Sequence, residues 1–246
     1  ALARGLARLV IAQGARVYAR SPALRYARAG GRWVAHTPAG VVSARALVLA
    51  SNAYTGEISK ALAPRIAREF IPAWSWQMAT QPLPQEVRRS VLPGRQAMSD
   101  THAELYFCRY DARHRLVTGG ALLAPFDKVR RMKEIVAKRI VRLFPQVGKV
   151  AFDYVWNGYI GMTPDYTPRF HRLGPDAYAW AGCNGRGVAL ALAAGRELAK
   201  AVWGIPDDEI ALPFTEPTPI ALQAMVRAFS PLMLLVNRYR DRREVG

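Results

Sequence analysis

Acidic residues are scarce in this sequence: 18 Asp and Glu stand against 35 Lys and Arg, the net charge is +17, and the first acid along the chain is Glu57. That balance invites a nucleic-acid or acidic-surface partner. The arginines are scattered, however, and no recognisable nucleic-acid motif accompanies them, so a basic surface is the simpler reading and a basic nucleic-acid-binding module the rival. Cysteine is nearly absent too. Cys108 and Cys183 stand far apart without C-x-x-C, which excludes a disulfide scaffold and points to a reducing, cytoplasmic compartment. The four histidines, His36, His102, His114 and His171, share no ligand spacing, and no metal centre is expected. No apolar run reaches the ~20 residues that a membrane span needs. A composition of 51% hydrophobic and 22% charged residues is that of a soluble globular protein. The Arg-rich, acid-poor start looks like a transit peptide, but it runs straight into strand pattern; folded structure that begins mid-domain is the expectation.

What is present centres on Ala177 to Gly204, AYAWAGCNGRGVALALAAGRELAKAVWG, which reads as a short buried strand, a glycine turn and a helix. Gly182, Gly185 and Gly187 let backbone N–H groups approach a ligand. The first-turn amides of a helix lack internal partners and carry the positive end of its dipole, so an anion or an electron-rich ring edge would be stabilised there. Val188, Leu192 and Val202, with alanines between them, give a face able to pack on a sheet. A dinucleotide fingerprint, G-x-G-x-x-G with a later acid, is not met.

Along the chain, Leu2, Leu6, Leu9 and Val10 recur at helical spacing before a capping Gly14, and RVYARSP reads as the strand that follows. An antiparallel meander is expected next, turning at 29–31 and 38–40 and feeding a buried strand at Ala46 to Ala50. REFIPAWSWQMATQPLP is a strand ending near Thr80 to Leu83. Two strands then flank a turn at Asp111 to His114, and DKVRRMKEIVAKRIVRL is an amphipathic helix. Lys149 to Trp156 returns as a strand. Beyond Gly204 a proline-rich crossing segment leads to an apolar, then basic tail, interrupted by Pro231, that would pack on the body or on a partner.

The run WNGYIGMTPDYTPRFHRLGPDAYAWAGCNGRG, Trp156 to Gly187, resembles the end of the FAD-dependent amine and amino-acid oxidases of the D-amino-acid oxidase superfamily, of the glycine oxidase and γ-glutamylputrescine oxidase type. Trp156, Gly158, Thr163, Asp165, Pro168, Gly182, Gly185 and Gly187 match in order. RALVLASNAYTGEI resembles the family's second signature. The resemblance implies an α+β fold in which an incomplete, Rossmann-like FAD-binding domain carries an inserted antiparallel-sheet substrate domain. Residues 1–66 and 157–205 would form the former, 67–156 the latter, and 206–246 a tail. It implies non-covalent FAD, held at Pro22 and Ala23, at Ala50, Ser51 and Asn52, and along Gly182, Cys183, Asn184, Gly185, Arg186, Gly187 and Val188.

A small amine or amino acid would give a hydride to the flavin and leave as an imine. Trp76, Tyr106 and Tyr159 are candidates to line its pocket, because aromatic faces attract a cationic nitrogen, and Arg109 or Arg186 is a candidate carboxylate partner. Relatives place a carboxylate-binding Arg or a flavin-attaching Cys where this sequence has Ile160, which tilts the substrate towards an amine and the flavin towards non-covalent binding. No general base is named. The N-terminal G-x-G-x-x-G unit of the family is not in the sequence, so the flavin site calls for a second chain or an N-terminal half, and a non-catalytic fragment or subunit is the rival.

Overall fold

The computed structural model describes residues 2–102, 105–120 and 127–244. Helix α1 (Leu2–Ala12) buries none of its residues. Gly14 turns the chain at φ +86°, and the expected strand at RVYARSP does not form: residues 15–24 are irregular, with Val17 and Tyr18 exposed. A strand needs a hydrogen-bonding neighbour, and among the described residues only the last of this stretch has one, the Leu24 amide donating to the His36 carbonyl at 2.8 Å. The meander is as expected, with β1 (Arg25–Ala29), β2 (Arg32–Thr37) and β3 (Gly40–Ala44) pairing antiparallel. Trp33 anchors it, its buried indole N–H donating to the Pro175 carbonyl at 2.8 Å.

Strand β4 (Leu47–Leu49) is shorter and less buried than its apolar sequence predicts, with only Leu49 inside. The reason is its place. It is the edge of a four-stranded sheet completed, in spatial order, by three later strands, so among the described residues one flank of β4 has no strand beside it. The chain then passes through a 3-10 turn at Asn52–Tyr54 and two single-turn helices, α2 (Thr55–Ile58) and α3 (Pro64–Ala67), into β5 (Ile71–Pro82).

β5 is the longest strand of the five-stranded second sheet and lies between β8 and β9. After α4 (Gln85–Arg88), the strands β6 (Met98–Ser99), β7 (Phe107–Tyr110) and β8 (Arg115–Gly120) build out from one side of it, and α5 (Lys128–Leu143) covers one face. Helix periodicity puts Met132, Val136 and Ile140 onto the sheet's Trp76, Met78, Cys108 and Leu116, a core of the size that makes such a unit stable. Burial pushes the Cys108 thiol up to about 11, which leaves it an inert core residue. β9 (Phe152–Met162) pairs with the other side of β5 over almost its whole length. It runs unbroken through position 156–157, where the sequence led us to expect a domain boundary, and stays within this one sheet.

β10 (Arg169–Gly174) and β11 (Ala177–Ala181) form an antiparallel hairpin, and β11 runs parallel to β4. All five residues of β11 are buried. Helix α6 (Gly187–Val202) packs beneath it, β12 (Phe214–Thr215) adds the far edge beside β10, and α7 (Gln223–Glu244) ends the chain. The packing face of α6 is Ala194, Leu198 and Ala201, not Val188 and Leu192 as periodicity suggested. Those two are 75% and 49% exposed, and another face of the helix meets the flank of β4. There an apolar groove of ≈ 340 Å³ runs between Val48 and Ala50 on the sheet and Ala191, Gly195 and Ala199 on the helix.

Candidate functional site

Parallel strands β4 and β11 end side by side, and their turns are tied together. Asn52, itself in the left-handed region at φ +44°, accepts the Gly182 amide on its Oδ1 at 3.0 Å. Gly182 sits at φ +81°, and a Cβ there would lie 2.7 Å from Thr163 Cγ2. From the other side, Asn184 Oδ1 accepts the Thr163 amide at 2.8 Å, Asn184 Nδ2 donates to the Gly182 carbonyl at 2.8 Å, and the Asn184 amide reaches the Gly161 carbonyl at 2.9 Å. Short amide side chains tolerate the left-handed region and bond their own backbone, which is why Asn holds both corners. Thr163 and Asp165, read in the sequence only as part of a motif, are therefore the clamp of the turn. Thr163 Oγ1 donates to the Thr167 carbonyl at 3.0 Å. The Asp165 carboxylate accepts the Thr167 amide and the Arg169 guanidinium, and the former above all holds its pKa below the ordinary carboxylate range.

The held turn leads into the start of α6. No side chain caps it and no acid stands in its first turn; Gly185, Arg186 and Val188 are exposed. Arg186 is directed away, its guanidinium donating to the Tyr166 carbonyl at 2.5 Å. An uncapped helix start with exposed backbone stabilises partial negative charge, which suits the electron-rich edge of an isoalloxazine. Asn184→Ala should cost about 2 kcal/mol, since it strips buried partners from Thr163 and Gly182; chemical unfolding measures this, and a change within about 0.5 kcal/mol would show that the clamp is not needed.

Around this turn the structure gathers most of the residues expected to touch cofactor. Ala50 and Ser51 precede Asn52, and Ser51 Oγ is 2.8 Å from Thr55 Oγ1. Ala23 packs into the cluster of Leu49, Ala53 and Ala181, while Pro22 next to it is exposed. Cys183 is buried and unpaired behind the turn.

The expected substrate residues are not gathered. Trp76 lies inside the core between the second sheet and α5. Tyr106 has both ring faces occupied, by His102 at 4.3 Å and by the Arg139 guanidinium at 3.7 Å. Arg109 is exposed on β7. Of these only Tyr159 reaches the chain that follows β4: its amide donates to Tyr54 Oη at 3.1 Å, and its ring meets Tyr54 and Trp74 edge-on at 5.5 and 4.6 Å. Ile160 beside it packs against the Phe170 cluster. Trp74 carried no signal in the sequence beyond being aromatic, and Tyr54 only its place in the second signature, because tertiary packing and cross-strand register decide their meeting with Tyr159.

The model of the family described as FAD dependent oxidoreductase matches residues 1–201. The chain belongs to that family. Among curated relatives, it is 34% identical over 205 residues to the probable oxidoreductase OrdL of Haemophilus influenzae, covering 83% of this chain and 46% of that protein. It is 29% identical over 203 residues to the gamma-glutamylputrescine oxidoreductase of Escherichia coli, covering 82% and 47%. The chain thus spans about half the length of the curated relatives it matches. Solved structures share its fold: glycine oxidase from Geobacillus kaustophilus, TM-score 0.64 at 18% identity over 83% of this chain and 54% of that one, and iminodiacetate oxidase from Chelativorans, TM-score 0.66 at 18% identity over 89% and 57%. This FAD dependent oxidoreductase portion has the α+β architecture that the sequence implied, and FAD is its family's cofactor. Among the described residues no cluster of His, Cys, Asp and Glu could hold a metal ion, and no helix is long and apolar enough to cross a membrane.

Proposed function

We propose that this chain is the flavin-facing, C-terminal portion of an enzyme that oxidises a small amine or amino acid. The observation that carries the reading is the uncapped start of α6, presented by a turn that Asn52, Thr163 and Asn184 hold rigid. Bound FAD would accept the hydride of a C–H bond next to the amine nitrogen, leaving an imine that water hydrolyses. The chain's own part would be electrostatic and positional: the amides of Gly187 and Val188 would stabilise negative charge developing on the bound ring, and Tyr159, Tyr54 and Trp74 give an apolar, π-rich wall. Such a wall favours a cationic or neutral amine. Ile160 brings no cation to the site, which supports an amine over an α-amino acid, with Arg109 or Arg186 free of that role. Two unpaired cysteines fit a cytoplasmic enzyme.

The groove between β4 and α6 and the open edge of β4 support completion of the FAD site by an N-terminal half or a second chain bearing the pyrophosphate loop. Co-production of this chain with such a half from a relative is expected to yield a yellow complex that an amine bleaches anaerobically. A complex that forms but stays colourless on adding FAD would overturn the reading in favour of a non-catalytic subunit. Val188→Glu places an acid in the first turn of α6 and should weaken FAD binding by about tenfold. Unchanged flavin fluorescence quenching in that variant would mean that the amides do not face the ring.

A further inference from the structure

The tail beyond residue 201 lies outside the family match, and its helix α7 is turned inside out for a globular protein. Its polar side holds the body: Gln223 Nε2 donates to the Phe70 carbonyl at 3.0 Å, Arg227 pairs with Glu57 at 2.8 Å and lies over the Tyr159 ring, and Asp241 is buried. The apolar residues Leu222, Met225, Phe229, Leu232, Val236 and Tyr239, spaced alternately by three and four, are 49–72% exposed. With their neighbours they cover about half of the helix circumference. The helix continues through Pro231; that residue has no amide for the Arg227 carbonyl, which accepts the Ser230 hydroxyl at 2.9 Å instead.

An exposed apolar arc of this length has a partner, and charge selects it. α7 carries Arg227, Arg238, Arg240, Arg242 and Arg243 against Asp241 and Glu244, on a chain of net charge +17. A second copy would bring +17 to +17, whereas an anionic surface is complementary. A helix-to-helix seam also uses a narrower stripe than half the circumference. We propose that α7 lies in the plane of an anionic lipid bilayer, its apolar arc at the acyl boundary and its polar side still holding the folded body above. This is the geometry of an interfacial helix rather than of a span.

The test uses the 246-residue chain with vesicles of phosphatidylcholine alone and of phosphatidylcholine with equimolar phosphatidylglycerol. Sedimentation with the anionic vesicles, weakened by salt, is expected. Phe229→Ser with Leu232→Ser should reduce that partition by about tenfold, while Val41→Ser with Val42→Ser, exposed on the meander, should leave it unchanged. All these side chains face solvent, and circular dichroism checks that the variants fold. Equal binding to both vesicle types, no binding, or binding indifferent to the tail variant overturns the proposal. A dimer seen by light scattering and lost in the tail variant, without vesicle partition, assigns the arc to a second copy and overturns it too. So does vesicle binding that disappears once the FAD site is completed by an N-terminal half, because that half would then be what covers the arc.

Discussion

Replacing Gly182 with alanine is expected to destabilise the protein by about 3 kcal/mol, the sum of about 1–2 for a side chain in the left-handed region and about 1–3 for overpacking. The new Cβ would meet Thr163 Cγ2 at 2.7 Å and the Thr167 carbonyl at 3.2 Å, at a φ of +81°. Neither neighbour is free to retreat. Thr163 is held by Asn184, and Thr167 by Thr163 and Asp165. Urea unfolding reads the loss, and the same variant should fail to present the start of α6 to flavin. Gly185→Ala is the contrast: it shares the positive φ, but nothing lies within 4 Å of its Cβ, so only the about 1–2 kcal/mol backbone cost applies. Equal losses in the two variants would show that the contact with Thr163 contributes nothing.

Replacing Glu69 with alanine should cost more, about 4 kcal/mol. Its side chain is fully buried, with Oε2 2.6 Å from His171 Nε2, itself fully buried, and Oε1 3.0 Å from Arg169 Nη1. Thr218 donates to Oε1 through both its amide and its hydroxyl, and His171 Nδ1 donates to the Thr215 carbonyl at 2.8 Å. One carboxylate therefore holds β10, the clamp residue Arg169 and the crossing segment that leads to α7. Removing it leaves the buried His171 imidazole without its partner and the half-buried Arg169 with Asp165 alone. Burial pushes the Glu69 carboxyl up, but His171, the Thr218 amide and Arg169 together outweigh that and hold it below the ordinary range. The stabilisation is accordingly complete above the pKa of an unfolded glutamate and is lost as pH falls through the lower folded value. Wild type should lose stability in that acidic window, and Glu69→Ala should show a flatter profile there. Parallel profiles for the two would exclude the ion pair as the cause.

The glycine turn and the helix after it were legible because both signals are local: residues without Cβ at close spacing, then helical periodicity. The partners of that turn were not. Asn52 meets the Gly182 amide across 130 residues, and only the parallel pairing of β4 with β11 brings them together. Glu69 and His171 look in the sequence like an ordinary surface acid and a lone histidine; their burial depends on β12 closing over β10. The outward face of α6 was misread because periodicity reports that a stripe is apolar, not which stripe this chain's own sheet reaches. The aromatic pocket failed for a similar reason: alternation along β5 sends Trp76 into the α5 core, and Tyr106 is stacked between nearby His102 and the sequence-distant Arg139.

β9 runs eleven residues from Phe152, past the exposed Tyr154, to Met162, next to the clamp, with no loop between. Mechanically it is a girder. A tilt imposed on the second sheet by an occupant has no hinge in which to dissipate, so it arrives at Thr163 and the start of α6 as the same rigid-body motion. Spin labels at Tyr154 and Arg186 should accordingly shift together when an amine binds the completed enzyme, and independent shifts would reveal a joint that the strand does not show.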